Sequence, residues 1–290
     1  MTVSVVTPTL NSAPTLRQTI DSVLTQDHPH VEYLVVDGGS TDGTVALLEE
    51  ACVRYGDRLR WTSESDTGQS NAINKGLGQL KGDVVAWLNA DDVYAPGAIA
   101  KAVSVLEDQQ RAGLVYGQAD FVDGRGRHIG NCVHIEPFDR RRLLRVSNFI
   151  VQPAAFIRRR AFEQAGGLDE SLHYAMDYDL WLKISAAWRV VHVPCRWASV
   201  RWTDQTKTAR GGMNRIDEVA HVAARHGYHR LPAYFALEKA SLLLGQRRPV
   251  AAVKTLVCCP AALAALGSPS VWNVIAMRKR RARYADVGSV

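Results

Sequence analysis

Apolar and polar positions alternate in blocks along the first hundred or so residues. Residues 3–7 (VSVVT) are a β-rich run that ends at Pro8. Ser12 then stands as an N-cap ahead of Pro14, with Leu16, Ile20, Val23 and Leu24 at helical spacing. Residues 31–36 (VEYLVV) predict a second strand running into Asp37, and a helix from Thr44 puts Val45, Leu48 and Ala51 on one face. Residues 59–63 predict a third strand, after which Asp66 to Ser70 open a short helix. Residues 84–88 (VVAWL) are apolar throughout, the pattern of a strand covered on both faces. Repeated strand–helix units of this kind predict an α/β fold with a parallel, doubly wound sheet.

The second half is less regular. Short strands are expected at 114–116, 189–193 and 198–202, a hairpin turn at Asp123-Gly124, and an apolar stretch over 152–157. One helix starts near Arg159 and ends at Gly166-Gly167; another, over 177–187, turns Leu180, Trp181 and Ile184 inward. From about Pro232 the chain becomes Ala/Leu-rich and helical. Residues 255–277 carry no charge, but Pro260, Gly267, Ser268, Pro269, Ser270 and Asn273 interrupt them, which argues against a membrane span. Two readings remain open there: short helices at a membrane interface, or a helical pair packed on the main domain.

Charge sharpens this picture. The formal net charge is +6, but residues 239–290 hold nine Lys/Arg and one acid, Asp286, whereas residues 1–238 hold 26 basic and 28 acidic residues. A basic tail on a near-neutral body, ending in Arg278-Lys279-Arg280-Arg281, suits an anionic headgroup surface rather than nucleic acid. Five scattered cysteines give no disulfide framework, and the N-terminus lacks the basic and apolar regions of a secretory signal, so an intracellular setting is expected.

Ligands of open α/β sheets bind outside the carboxyl ends of the strands. Here Asp37, Asp66, Asp91 and Asp92 stand at such ends. Singly, each reads as a helix cap or turn former. Gathered, their mutual repulsion needs a positive charge among them, and a divalent cation bridging a diphosphate is the natural occupant.

The ordered set VVTPTLN, VVDGGSTDGT, DTGQSNAINKG, WLNADD and MDYDLWLKI resembles the family 2 glycosyltransferases of GT-A fold, over residues 1 to about 210. The resemblance implies a mostly parallel sheet flanked by helices, with a nucleotide-binding half (1–110), an acceptor-binding half (111–210) and a C-terminal helical appendage (211–290). It implies that Pro8, Thr9 and Asn11 line the nucleotide pocket and that Asp37, with Gly38 beside it, accepts a hydrogen bond from the base. Asp66, Gly68 and Gln69 would pack on the nucleoside, with Asn71 and Lys75 on the following helix. The family's DxD element corresponds to Asn89-Ala90-Asp91, which makes Asp91, with Asp92, the metal ligand set and Asn89 a ribose or sugar contact. Asp177 resembles the catalytic base, with Asp179 supporting its helix start. Gln152, Pro153, Trp181 and Arg201 are expected on the acceptor or diphosphate side.

Four positions depart from the family pattern. Gly38 stands where a second Asp is common, Asn89 replaces the first Asp of DxD, Met176 stands where Glu often precedes the base, and Thr203 takes the place of a His. The glycines at 38–43 do not have the GxGxxG spacing, and neither a P-loop nor a GxSxG elbow occurs. His221, His226 and His229 read as surface histidines rather than a zinc site, Arg140–142 and Arg158–160 as solvated helix faces, and Trp188, Trp197 and Trp202 as packing or sugar-stacking residues alike.

The expectation is therefore an inverting, Mn²⁺- or Mg²⁺-dependent transferase. It takes a nucleotide-sugar donor, UDP-linked most commonly, and a saccharide or lipid-linked acceptor in cell-envelope polysaccharide or glycolipid assembly. It would sit in the cytoplasm, peripheral to the inner face of the membrane, and a homodimer is compatible with the sequence. The alternatives are a sugar-nucleotide pyrophosphorylase, which would have a Gly-rich loop where Pro8-Thr9-Leu10-Asn11 stands, and a catalytically silent module of the same fold, which would have lost Asp91 or Asp177.

Overall fold

The computed structural model describes residues 1–132 and 134–265. The first half runs β1 (Val3–Thr9), α1 (Ala13–Leu24), β2 (Val31–Asp37), α2 (Thr44–Tyr55), β3 (Arg60–Ser63), α3 (Gln69–Gly78), β4 (Val84–Trp87), β5 (Val93–Tyr94) and α4 (Ala98–Asp108). It continues with β6 (Ala112–Val122), β7 (His128–Asn131), α5 (Arg140–Arg145), β8 (Ala155–Arg158), α6 (Arg159–Gln164), α7 (Met176–Ala187) and β9 (Arg189–Arg201). Helices α8 (Lys207–Arg210), α9 (Gly212–Arg225), α10 (Ala233–Gly245), α11 (Pro249–Val257) and α12 (Pro260–Ala265) follow.

The strands form one sheet in the order β3-β2-β1-β4-β8-β6-β9-β5, with β7 paired to β6. From β3 to β4 all pairings are parallel, as the alternating units require. Beyond β4 the sheet is mixed: β8 is antiparallel to β4 and β6, whereas β6 and β9 are parallel. Strand β4 is buried along its whole length, and Trp87 stacks on Trp181 of α7 with centroids 5.8 Å apart.

Three local expectations change. Strand β1 does not stop at Pro8 but pairs with β2 through Thr9↔Asp37. The ladder bonds Gly38 N–H to Thr9 O and Leu88 N–H to Val6 O put odd-numbered residues of β1 toward β2 and even-numbered ones toward β4. Pro8 thus faces β4 just past the point where that strand ends, so its missing N–H costs no ladder bond. The two short strands at 189–193 and 198–202 are one strand. Its register against β6 jumps from Tyr116↔His192 to Gln118↔Arg196, and Pro194 sits in that bulge. Opposite it, a Cβ at Gly117 would lie 2.5 Å from the Trp197 ring, so only glycine admits that close approach. Finally, Arg158 and Arg159 are not a solvated face. Arg158 donates to the carbonyls of Ala112 and Leu106, and Arg159 to Gly82 O, Leu77 O and Ser4 Oγ.

The principal core continues past residue 210, because Ile216, Val219, Val222 and Ala223 of α9 belong to it. Helices α10, α11 and α12 pack on one another through small clusters around Ala236, Cys259 and Ala262 and around Ala240, Leu243 and Ala252. Among the described residues, no helix is long and apolar enough to cross a membrane, and all five cysteines are free. The Arg278–281 cluster lies outside the described residues.

Candidate functional site

The carboxyl ends of β1 and β2 carry the first cluster. Asp37 is fully buried, and its carboxylate already takes four donors: Ser40 Oγ at 2.5 Å, Ser63 Oγ at 2.7 Å, and the N–H groups of Gly39 and Ser40 at 3.1 and 3.0 Å. Burial pushes Asp37 up, but these hydrogen bonds outweigh it and hold the carboxyl below its ordinary value. Three of these donors meet Oδ2 and one meets Oδ1, so the carboxylate shapes the 38–40 turn chiefly through Oδ2. Asn11, at φ +50°, ties β1 to that turn by accepting from Thr41 N–H at 2.9 Å and donating its own N–H to Ser40 Oγ. Asp66 takes Gly68 N–H on Oδ1, and its Oδ2 would lie 2.8 Å from a Cβ at position 38. Glycine at 38 therefore leaves room for the Asp66 carboxylate. Pro8 and Thr9 are buried beneath these loops.

The second cluster follows β4. Asn89 Oδ1 accepts from Gln69 Nε2 at 2.6 Å, and its Nδ2 donates to Asp92 Oδ2 and Gln152 Oε1. Ala90 is buried, and its carbonyl accepts from Thr15 Oγ1. Asp92 is fully engaged, Oδ1 by Arg201 N–H and Oδ2 by Asn89. It is a buried anchor for β9 and lines the same cavity as Asp91. Arg201 also lines the cavity, and its guanidinium donates to Asp91 O, Asp123 O, Gly124 O and Gln18 Oε1. Asp91 differs, since among the described residues no other residue's donor reaches its carboxylate. Burial raises its pKa, and the Arg201 charge offsets this in part.

A cavity of about 760 Å³ runs from Gln69, Asn89 and Asp91 past Gln152 and Pro153 to Asp177 at the start of α7. Asp177 accepts Tyr178 N–H at 2.7 Å and Asn148 Nδ2 at 3.2 Å, and Asn148 Oδ1 is buried with no partner among the described residues. Burial pushes the Asp177 carboxyl up to about 6, against the pull of those two donors and the Lys207 charge. The loop that presents it is held from α9: the Glu218 carboxylate accepts the N–H groups of His173, Tyr174 and Ala175 at 2.9, 2.5 and 2.6 Å. An acid is stabilised there by the unpaired N–H groups and positive end of the α7 dipole. Lys207 Nζ crosses the cavity to Gln69 Oε1 at 2.8 Å, joining the Asp177 side to the Asn89 side.

The comparisons with known proteins agree with this architecture. The sequence profile described as glycosyl transferase family 2 matches residues 4–166, more than half of the chain. The chain belongs to glycosyl transferase family 2. Relatives within that family's reach include an uncharacterized glycosyltransferase of Rickettsia felis, 31% identical over 188 residues, a match covering 63% of this chain and 31% of that protein. Chondroitin synthase of Escherichia coli is 27% identical over 66% of this chain and 27% of its own length. The chain thus matches about a third of each. Solved structures share the GT-A fold: Staphylococcus aureus TarS 1–349 with UDP-GlcNAc superposes at TM-score 0.63, 18% identity, covering 92% of this chain and 84% of that one. A Pyrobaculum calidifontis mannosyltransferase in complex with GDP-Man and Mn²⁺ does so at 0.62 and 24%, over 97% and 80%.

In this family 2 chain the structure brings Gln69, Asn89, Asp91, Asp92, Gln152, Pro153, Asp177 and Arg201 to one cavity. It places others elsewhere. Lys75 is exposed and pairs with Glu64, and Asn71 donates to Glu170. Asp179 is buried against Lys183 and His226 at 2.7 and 2.9 Å, and Trp181 is core, so neither meets an acceptor. Asn148, Lys207 and Glu218 went unread because their partners lie 29, 138 and some 45 residues away in sequence.

Proposed function

We propose that the chain transfers a sugar from a nucleoside-diphosphate sugar to a hydroxyl of a saccharide or lipid-linked acceptor, with inversion at the anomeric carbon. The carrying observation is a single cavity that holds Asp91, whose carboxylate no other residue's donor reaches among the described residues, together with a half-buried, up-shifted carboxylate, Asp177. A UDP-linked donor is the first choice; TarS is known as a complex with UDP-GlcNAc, whereas the P. calidifontis enzyme takes GDP-Man. Polysaccharide assembly is supported by relatives named chondroitin synthase and O-antigen biosynthesis protein RfbC, the latter of Myxococcus xanthus. The family match offers no support for a pyrophosphorylase. We place the enzyme in the cytoplasm, against the inner face of the membrane.

In the reaction the acceptor oxygen attacks the anomeric carbon as the bond to the diphosphate breaks. The acceptor proton passes to Asp177, and the nucleoside diphosphate leaves. A carboxyl with a pKa near 6 is ionised at neutral pH yet more basic than an ordinary aspartate, which suits a general base. Asn148 holds Asp177 by one amide atom and leaves the other free for a sugar hydroxyl. Lys207 and Gln69 fix the cavity edge next to Asn89.

The residues fit a divalent cation bound mainly through the donor. Among the described residues no group of three acidic, His or Cys side chains converges, but Asp91 offers one hard oxygen ligand beside the cavity. Mg²⁺ or Mn²⁺ needs only one or two carboxylates when phosphates complete its shell. Bound there, the cation would neutralise charge on the departing diphosphate.

A thermal-shift series of UDP, dTDP, GDP and CMP and their sugar conjugates, each with Mn²⁺ and with EDTA, tests the donor reading. Stabilisation by one nucleotide that disappears with EDTA or in Asp91→Ala is expected. No stabilisation by any of them would favour the catalytically silent module.

A further inference from the structure

We propose that the α10–α11 hairpin carries a docking face for an anionic lipid surface. Six large apolar side chains are conspicuously exposed among the described residues, and four of them, Leu244, Val250, Val253 and Val257, fall within fourteen residues of the hairpin. The others, Leu10 and Val53, stand alone. Val250, Val253 and Val257 follow the i, i+3, i+7 spacing that puts side chains on one helix face. The opposite face of α11 is spent inward: Ala252 is 2% exposed and packs with Ala240 and Leu243 of α10. The outward valines therefore do nothing for the fold of the described chain.

Charge selects the occupant. Arg247, Arg248 and Lys254 surround the face, all exposed, and none forms an ion pair or side-chain hydrogen bond among the described residues. The sequence has no acid between Glu238 and Asp286, so nothing nearby neutralises them, and the 25 residues beyond 265 add Arg278, Lys279, Arg280, Arg281 and Arg283. Shallow apolar side chains ringed by unpaired cations match a headgroup layer, where each basic residue is worth about fivefold in partition.

Backbone strain at the hairpin points the same way. The turn closes with Arg247 N–H on Leu244 O and Arg248 N–H on Leu243 O, and it forces Arg247 to φ +58°. That region favours glycine or asparagine, so an arginine there is held against its own preference. The strain buys a tip with two adjacent cations.

The same helices wall the cavity. Ala233, Tyr234 and Phe235 of α10 and Ala261 of α12 line it, and Ala261 is four residues past Val257. Docking by this face therefore puts the helical unit that lines the cavity at the lipid surface, which is where a lipid-linked acceptor would enter. That last step rests on the acceptor reading above; the docking face does not.

The test is co-sedimentation of the full chain with vesicles of phosphatidylcholine alone and of phosphatidylcholine with phosphatidylglycerol, alongside melting curves and sizing by light scattering. Neither donor nor acceptor is present, so the result is independent of the transfer reaction. The parent chain should bind only the anionic vesicles. Val250→Ser/Val253→Ser/Val257→Ser should lower partition about tenfold or more with an unchanged melting midpoint, since small losses at three anchors multiply. Arg247→Asn should lower it about fivefold while melting at the same temperature or higher, because asparagine tolerates that φ. Unchanged binding by the triple variant would overturn the proposal. So would a lowered melting midpoint, which would make the chain's own residues beyond 265 the occupant, or a dimer-to-monomer change, which would make it a second copy.

Discussion

Two carboxylates, the buried Asp37 and the half-buried Asp177, one in each half of the molecule, have opposite fates. Asp37, after β2, is surrounded by four donors from a single turn and from β3, and it stays below its ordinary pKa. Asp177, at the start of α7, has two donors and the charge of Lys207, and burial carries it up to about 6. The difference lies in the number of donors, not in depth alone. A fully satisfied carboxylate is a structural strut; an under-satisfied one next to a cavity has basicity to spend.

The largest effect that separates them is on transfer. Asp177→Asn should lower kcat by about 10²–10⁴-fold while leaving nucleotide binding unchanged, because only the proton acceptor is lost. The same substitution should stabilise the protein at neutral pH. Asp177 binds its proton more tightly folded (about 6) than unfolded (about 3.8), so the stability it lends at low pH is lost as pH rises from 3.8 through 6. Asparagine removes that loss, a gain of up to about 3 kcal/mol at pH 7. Asn148, whose Oδ1 has no partner among the described residues, can turn its amide to meet the new NH₂ group. A variant that melts lower than the parent at pH 7 and retains transfer would erase the distinction between the two aspartates.

Asp37→Ala should do the reverse. It strands the N–H groups of Gly39 and Ser40 and the hydroxyl of Ser63, and it should cost about 2–4 kcal/mol in a urea melt. Part of the stability that Asp37 supplies is present above its unfolded pKa and lost as pH falls, so the gap between variant and parent should narrow in acid. A gap that stayed constant to low pH would mean that the charge of Asp37 is not what the turn uses.

How much of this was legible in the sequence follows the same division. Strands β1 to β4 and helices α1 to α3 are local units, each with its own periodicity, so residues 1–88 read almost correctly from pattern alone, whereas β5 and α4 went unread. Asp91 and Asp177 were singled out by the resemblance to the family 2 motifs, Asp91 also by its place after β4. What the sequence did not show was tertiary. That Asp92 and Arg201 are consumed by each other and by carbonyls of the β6–β7 turn depends on β9 lying beside them, 109 residues on. That 189–201 is one strand depends on a bulge facing Gly117. Glu218, in a helix whose pattern marks only its own core face, shows no sign in sequence that it holds the loop before Asp177.

The finest test of the comparison is to move Asp177 further from Asp37 by removing donors. Asn148→Ala deletes a hydrogen bond to the ionised carboxylate, and Lys207→Met deletes the nearby positive charge; both contributions lower the Asp177 pKa. Each loss should therefore raise it, and the acid limb of kcat/KM should move from about 6 to higher pH by up to about one unit, with the two shifts adding in the double variant. Donor affinity separates the two residues. Lys207 also holds Gln69, which in turn holds Asn89, so Lys207→Met should weaken nucleotide binding, whereas Asn148→Ala should leave it alone. If both variants kept the parental pH profile, proton transfer would not be passing through Asp177, and the two aspartates would differ only in what they hold in place.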